Sequence, residues 1–242
     1  MYGRALRANR RIGRQLAPRF GKSVSAAASY STLFPSTENP ISEGGVWANG
    51  GSTGLDWQNV QTTPGKAFGV GASAGYDDCN AVLQGRFSTT RHYSQGTIRK
   101  LGGYTPPSSH ETELLLGFSI SAHVAAGYEV DMWFDGTLQF VRWNGALSDF
   151  TVYGTGDWLD SSSGSGFGRA LVEDDVVKAT FDASSGHPVL TLYLNGAQVS
   201  QVPDTSASKI TSGSPGMGFF ARAGSGLDMT AYCLKAFAAG SL

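Results

Sequence analysis

Charge is scarce in this chain. Asp, Glu, Lys and Arg make up 15% of its 242 residues, and the formal net charge is −1. A chain so close to neutral overall predicts no general attraction for nucleic acid from its body, and no specific nucleic-acid recognition is expected. Long apolar runs are missing too: none approaches the ~20 residues needed to span a bilayer. The two cysteines, Cys79 and Cys233, are too few for a disulfide framework. Each sits in an apolar, strand-like segment, which favours two buried free thiols; the alternative is one bridge from an early strand to the last. His92, His110, His123 and His187 have no ligand spacing and match no zinc motif. Gly213, Gly216 and Gly218 lack the Lys-Ser/Thr and helix of a phosphate loop. The serine-rich residues 160–166 lack the strand–elbow–helix context of a hydrolase nucleophile.

Glycine is abundant, at 33 residues, which fits many short strands joined by tight turns. A chain of this length can bury a substantial core as one all-β domain. The clearest segment is residues 190–202, LTLYLNGAQVSQV. Asn195-Gly196 is a strong type I′ hairpin signal, because both turn residues must tolerate positive φ. A two-residue turn pairs Leu194 with Ala197, Leu192 with Val199 and Leu190 with Gln201. Residues 175–181, DVVKATF, add a preceding strand and make a three-stranded meander. Earlier, residues 57–60 and 67–70 read as short strands around Pro64-Gly65. Residues 81–87 read as a strand in which Gly85 marks a bulge. The nearly continuous apolar run 114–121 suits a central strand buried on both faces.

The string DDVVKATF…LTLYLNGAQVSQVPDTS, followed by SGSPGMGFF at residues 212–220, resembles the back half of a concanavalin A-like (laminin-G/glucanase type) jelly roll. Residues 34–47 resemble its opening strand, residues 93–98 an early paired strand, and residues 127–145 a central hairpin. The resemblance covers roughly residues 34 to 239 and implies an all-β, two-sheet antiparallel jelly-roll sandwich that binds carbohydrate and in some members hydrolyses it. Glu129-Val-Asp131-Met-Trp133 resembles the E-x-D opening of the laminarinase-like catalytic signature. Retaining hydrolysis needs a second carboxyl about 5–5.5 Å from the nucleophile. Positions 133 and 134 are Trp and Phe, so the family's second Glu is missing and no catalytic residue is assigned. A two-residue Asp135-Gly136 turn would instead set Glu129 opposite Arg142 as a cross-strand charge pair. In that register Trp133, Phe140 and Arg142 share a face and form a candidate glycan platform; the alternative is that they lie under a loop or neighbouring subunit. Structural calcium, which resembling folds often hold, is the one cofactor considered. Asp77-Asp78 and Asp174-Asp175 are the candidate contacts, although adjacent strand carboxylates point to opposite faces.

The first 22 residues differ in kind, with seven Arg or Lys residues and no carboxylate. Ala5, Ala8, Ile12 and Leu16 recur at helical spacing beside a stripe of Arg4, Arg7, Arg11 and Arg14. This predicts a short basic amphipathic helix ended by Pro18. The rest of the chain then has 18 − 7 = 11 basic residues against 19 acidic ones. No long apolar h-region of a secretory signal is present. The segment fits a mitochondrial transit peptide, an anionic-surface or nucleic-acid tail, or an arm docked on a protein assembly. The last reading is preferred, since a short isolated helix is marginal in water. Arg4, Arg7, Arg11, Ile12, Arg14, Leu16 and Phe20 are then the anchor, in an arm-and-linker segment of residues 1–33 ahead of a sandwich at 34–242.

Three function classes fit. The preferred one is a non-enzymatic structural or adhesion protein of a bacteriophage virion, a decoration or tail component. Its partners would be other subunits and surface glycans. The others are a stand-alone lectin and a glucanase-type enzyme. The corresponding locations are the virion or, for a cleaved transit peptide, the mitochondrial matrix.

Overall fold

Short alternating segments close into two layers in the computed structural model, which describes residues 28–70, 78–87, 89–107, 110–153, 168–221 and 227–242. The seven expected anchor residues, from Arg4 to Phe20, lie outside the described residues. The chain runs through β1 (Ser29–Thr32), β2 (Ala48–Asn49), a helical turn α1 (Gly50–Thr53), β3 (Gln58–Asn59), β4 (Gln61–Thr63), β5 (Lys66–Phe68) and β6 (Cys79–Val82). Longer strands follow: β7 (Arg91–Lys100), β8 (Glu111–Ser121), β9 (Val124–Trp133), β10 (Leu138–Gly145) and β11 (Phe150–Tyr153). The last are β12 (Val176–Asp182), β13 (Val189–Leu194), β14 (Ala197–Pro203), β15 (Ser214–Phe220) and β16 (Tyr232–Ser241).

These make two eight-stranded sheets. Sheet A has the order β14-β13-β12-β7-β16-β5-β4, with β1 also on β16. Sheet B has the order β11-β10-β9-β8-β15-β6-β2, with β3 also on β6. Apart from the parallel contact of β3 with β6 the pairings are antiparallel. The architecture is the two-sheet antiparallel jelly-roll sandwich that the resemblance implied. Between the sheets, Leu114, Tyr128, Val130, Met132, Phe140, Phe181, Phe219 and Phe237 are buried. At roughly 1.5–3 kcal/mol for each large apolar side chain, this burial drives one sheet onto the other. A second cluster covers part of the outer face of sheet B, where Trp57 meets Trp143 edge-on at 4.3 Å. That cover explains why the central strand β8 is apolar on both faces.

Both hairpins depart from the expected register. Asn195 and Gly196 have φ of 50° and 84°, as the turn requires, and Leu194 pairs with Ala197. A bulge at Val199, between the Tyr193–Gln198 and Leu192–Ser200 pairs, then sets Leu192 opposite Ser200 and Leu190 opposite Val202. Val199 and Val202 are three apart and would face opposite ways on a regular strand; the bulge lets both pack on the core. At the other hairpin the loop has three residues rather than two. Trp133 donates its N–H to the Thr137 carbonyl at 3.0 Å, and Gly136 takes a φ of 93°. The register therefore moves by one residue: Glu129 faces Val141 and Arg142 faces Tyr128. The Glu129–Arg142 pair is not formed.

The expected linker and opening strand also exchange places. Ser29–Thr32 is a strand on β16. Residues 34–47 are mostly irregular, joined to the sheet by a bridge between Glu38 and Thr62. Pro35 and Pro40 remove backbone donors there, whereas Tyr30 and Thr32 each hydrogen-bond the Glu43 carboxylate. Gly85 lies in the turn after β6, not within a bulged strand. Cys79 and Cys233 are both buried thiols, not joined in a disulfide.

Candidate functional site

The one-residue slip at Phe134–Gly136 decides which side chains of β9 and β10 face outwards. Glu129, Asp131 and Trp133 on β9 share the outer face of sheet B with Gln139, Val141 and Trp143 on β10. On β8, Glu113 stands opposite Asp131 and Glu111 opposite Trp133. Phe150 on the edge strand β11 pairs with Trp143, their rings 5.3 Å apart. Together these side chains make a cleft of about 260 Å³. Its lining includes Asp78, Glu111, Glu129, Asp131, Gln139, Trp143, Phe150 and Phe220. One wall is aromatic and the floor is acidic.

That floor is unusually dry for its charge. Glu113, Glu129 and Asp131 are 1%, 6% and 4% exposed. Burial, then the nearby carboxylates of Glu129, Asp78 and Asp131, push Glu113 well above the usual carboxylate range. Burial, then Glu129, Glu111 and Asp78, do the same to Asp131. Glu129 is also raised by burial, but hydrogen bonds from Glu113 and from Trp143 Nε1–H, the latter at 2.6 Å, oppose the rise. Burial of both carboxyls, which interact with one another, favours a proton on the Glu113–Glu129 pair. Gly218 makes room for this arrangement: a Cβ there would lie 2.0 Å from Glu113 Oε2.

No protein-family model matches this chain, and no curated protein sequence does. Solved structures of similar fold exist. The chain is similar to the metal-free carbohydrate recognition domain of Emp46p at 13% identity, covering 87% of this chain and 95% of that one, with a TM-score of 0.48. The carbohydrate-binding module CBM66 from Bacillus subtilis has 13% identity over 83% of this chain and 95% of its own, with a TM-score of 0.46. A prokaryotic β-1,3-1,4-glucanase (lichenase) derived from a mouse hindgut metagenome gives 13% identity over 88% and 96%, also at 0.46. These are likenesses of fold, at identities too low to carry a residue's role across.

The expected platform of Trp133, Phe140 and Arg142 is not assembled. Trp133 is half-buried on the outer face, whereas Phe140 is fully buried between the sheets. Arg142 points the same way as Phe140, at the end of the sandwich, and bonds Asp204 Oδ2 at 3.0 Å and Ser206 Oγ at 2.6 Å. Because Asp204 follows β14, this ion pair ties sheet B to sheet A. Burial pushes the Asp204 carboxyl up, but hydrogen bonds from Tyr128, Ser206 and Tyr153 outweigh it and hold the group well below its usual range.

Glu111, Glu113 and Asp131 each offer a carboxylate oxygen, and these oxygens lie within 4.8 Å of one another. Asp131 Oδ1 is buried without a hydrogen-bond partner, so the set suits a hard cation that takes oxygen ligands. Of the acids expected to contact calcium, Asp78 lines this cleft and Asp77 lies outside the described residues. Asp174 is paired with Lys235. Asp175 is gripped by Arg169 through bonds of 2.6 and 2.7 Å, which, with donors from Val172 and Asn195, hold it at about 2. Glu111 and Glu113 were not among the expected site residues. The signal for them is Glu111-Thr112-Glu113 heading an apolar run, since acids two apart on a strand share a face.

Proposed function

We propose that this chain is a non-enzymatic structural and adhesion protein of a bacteriophage virion, a capsid decoration or tail component, whose sandwich holds glycans in the outer cleft of sheet B. The observation that carries the glycan reading is the cleft's pairing of Trp143, Phe150 and Phe220 with carboxylates and Gln139. Aromatic faces take the CH faces of sugar rings, and carboxylate and amide groups bond the hydroxyls. The virion role is supported by the sequence: a basic arm without carboxylates on an acidic body is suited to attachment. Calcium fits the cluster of Glu111, Glu113 and Asp131, where it would neutralise carboxylates and order the floor beneath a sugar.

Hydrolysis is disfavoured by the same side chains. A retaining nucleophile must be ionised and reach the sugar, whereas Glu129 is 6% exposed and held by Trp143. One observation favours a glucanase-type reading: Glu111, opposite Trp133, returns a carboxylate to the level where the signature lacks its second Glu. A glycan array with wild-type protein and Phe150→Ala, combined with a reducing-sugar assay, tests both. Phe150 is 48% exposed, so its loss leaves the fold intact and is expected to weaken binding about tenfold. Sugar release abolished by Glu129→Gln would establish the enzyme reading instead.

A further inference from the structure

The outer face of sheet A carries a separate groove of about 730 Å³, spread across β7, β12, β13 and β14. Its cross-strand rows are Thr180, Thr191 and Gln201, which Tyr93 continues on β7, and beside them Gln95, Lys178 and Tyr193. Amides, hydroxyls and phenols therefore stand where a solvated sheet face commonly alternates Lys with Glu. The Lys178 ammonium lies 4.2 Å over the Tyr93 ring. Among the described residues no carboxylate comes within ion-pair distance of it. Its cross-strand neighbours are Gln95 and Tyr193 rather than acids. Asp182, the carboxylate lining the groove, is already taken by Ser184 and Arg91 and held below its usual range. Lys178 thus stands near the middle of the groove as a positive charge facing a phenol and amides rather than an acid.

We infer that this groove binds an acidic polysaccharide, a glycan bearing a carboxylate on its sugar rings, independently of the cleft on sheet B. Lys178 bonds the sugar carboxylate, Tyr193 packs against a ring face, and Gln95, Thr180 and Gln201 bond hydroxyls. One central lysine among uncharged groups matches the sparse charge of such a glycan; duplex DNA demands several phosphate contacts at once.

Affinity electrophoresis of the full chain in gels containing polygalacturonate, alginate, neutral pullulan or duplex DNA tests the inference. Retardation by at least one acidic glycan and not by pullulan is expected, reduced about tenfold in affinity by Lys178→Ala and by Tyr193→Ala. Lys178→Gln should behave like the alanine variant, and each variant's melting curve establishes that it is folded. Phe150→Ala, which probes the other cleft, should leave this binding unchanged. Salt raised from about 50 to about 500 mM should weaken it. Absence of binding to both acidic glycans, binding untouched by Lys178 substitution, equal retardation by pullulan, or Lys178-dependent binding of DNA alone would each overturn the assignment.

Discussion

Glu113→Gln is the most informative single change in the cleft. Glu113 is 1% exposed, lies over Gly218, faces Asp131 across the strands and interacts with the Glu129 carboxyl. Its carboxyl is raised in the fold, so the stability it contributes is complete below the unfolded pKa of about 4.3 and is lost as pH climbs through the folded value. Glutamine keeps the shape and the donor to Glu129 without titrating. At about pH 8 without divalent cations the variant should be the more stable, by about 1–3 kcal/mol, the cost of one buried unsatisfied or charged group. For a domain of this size that is roughly 2–12 °C in melting temperature. At about pH 5 the advantage should shrink towards zero. Calcium should raise the wild type more than the variant, because the variant has lost a charged ligand. Calorimetric melts at both pH values, in EDTA and in calcium, read all of this. A variant less stable than wild type throughout, or a difference independent of pH, would refute the account of the acidic floor.

Gly218→Ala should destabilise by about 1–3 kcal/mol, because its Cβ would sit 2.0 Å from Glu113 Oε2; denaturant unfolding measures it, and a neutral result would mean that the carboxylate lies elsewhere. Asp204→Ala strands Arg142 between the sheets and should cost about 3–5 kcal/mol. Since the Asp204 carboxyl is depressed in the fold, its contribution is present above the ordinary aspartate range and fades as pH falls, so the gap between wild type and variant should narrow in acid melts. Deleting residues 1–22 should leave a soluble sandwich with an unchanged melting curve that no longer joins its assembly. Sedimentation with particles checks this, and normal incorporation of the truncated chain would remove the anchoring role.

The sandwich and its Asn195-Gly196 turn are legible because period-two alternation and residues tolerant of positive φ are local signals. The site is less so, for two physical reasons. Asp135-Gly136 admits a two- or a three-residue loop, and that one-residue choice moves every side chain of β10 to the other face relative to β9. Phe140 and Arg142 thereby pass from an expected surface to the interior, while Trp143 moves out to the cleft. Then the acidic floor is made by strands adjacent in space. Glu113 and Asp131 are partners across β8 and β9, and Gly218, which accommodates them, comes from a distant strand. No local spacing carries that contact. The tie of Arg142 to Asp204 is hidden for the same reason, since it joins two sheets rather than two neighbouring strands.

The most direct test of the glycan-holding cleft is backbone amide hydrogen exchange on the wild-type protein, with and without a glycan selected from the array. Protection is expected on β10 and β11 around Gln139, Trp143 and Phe150, with the glycan recovered uncut. Protection confined to other surfaces, or a glycan recovered with new reducing ends, would contradict it.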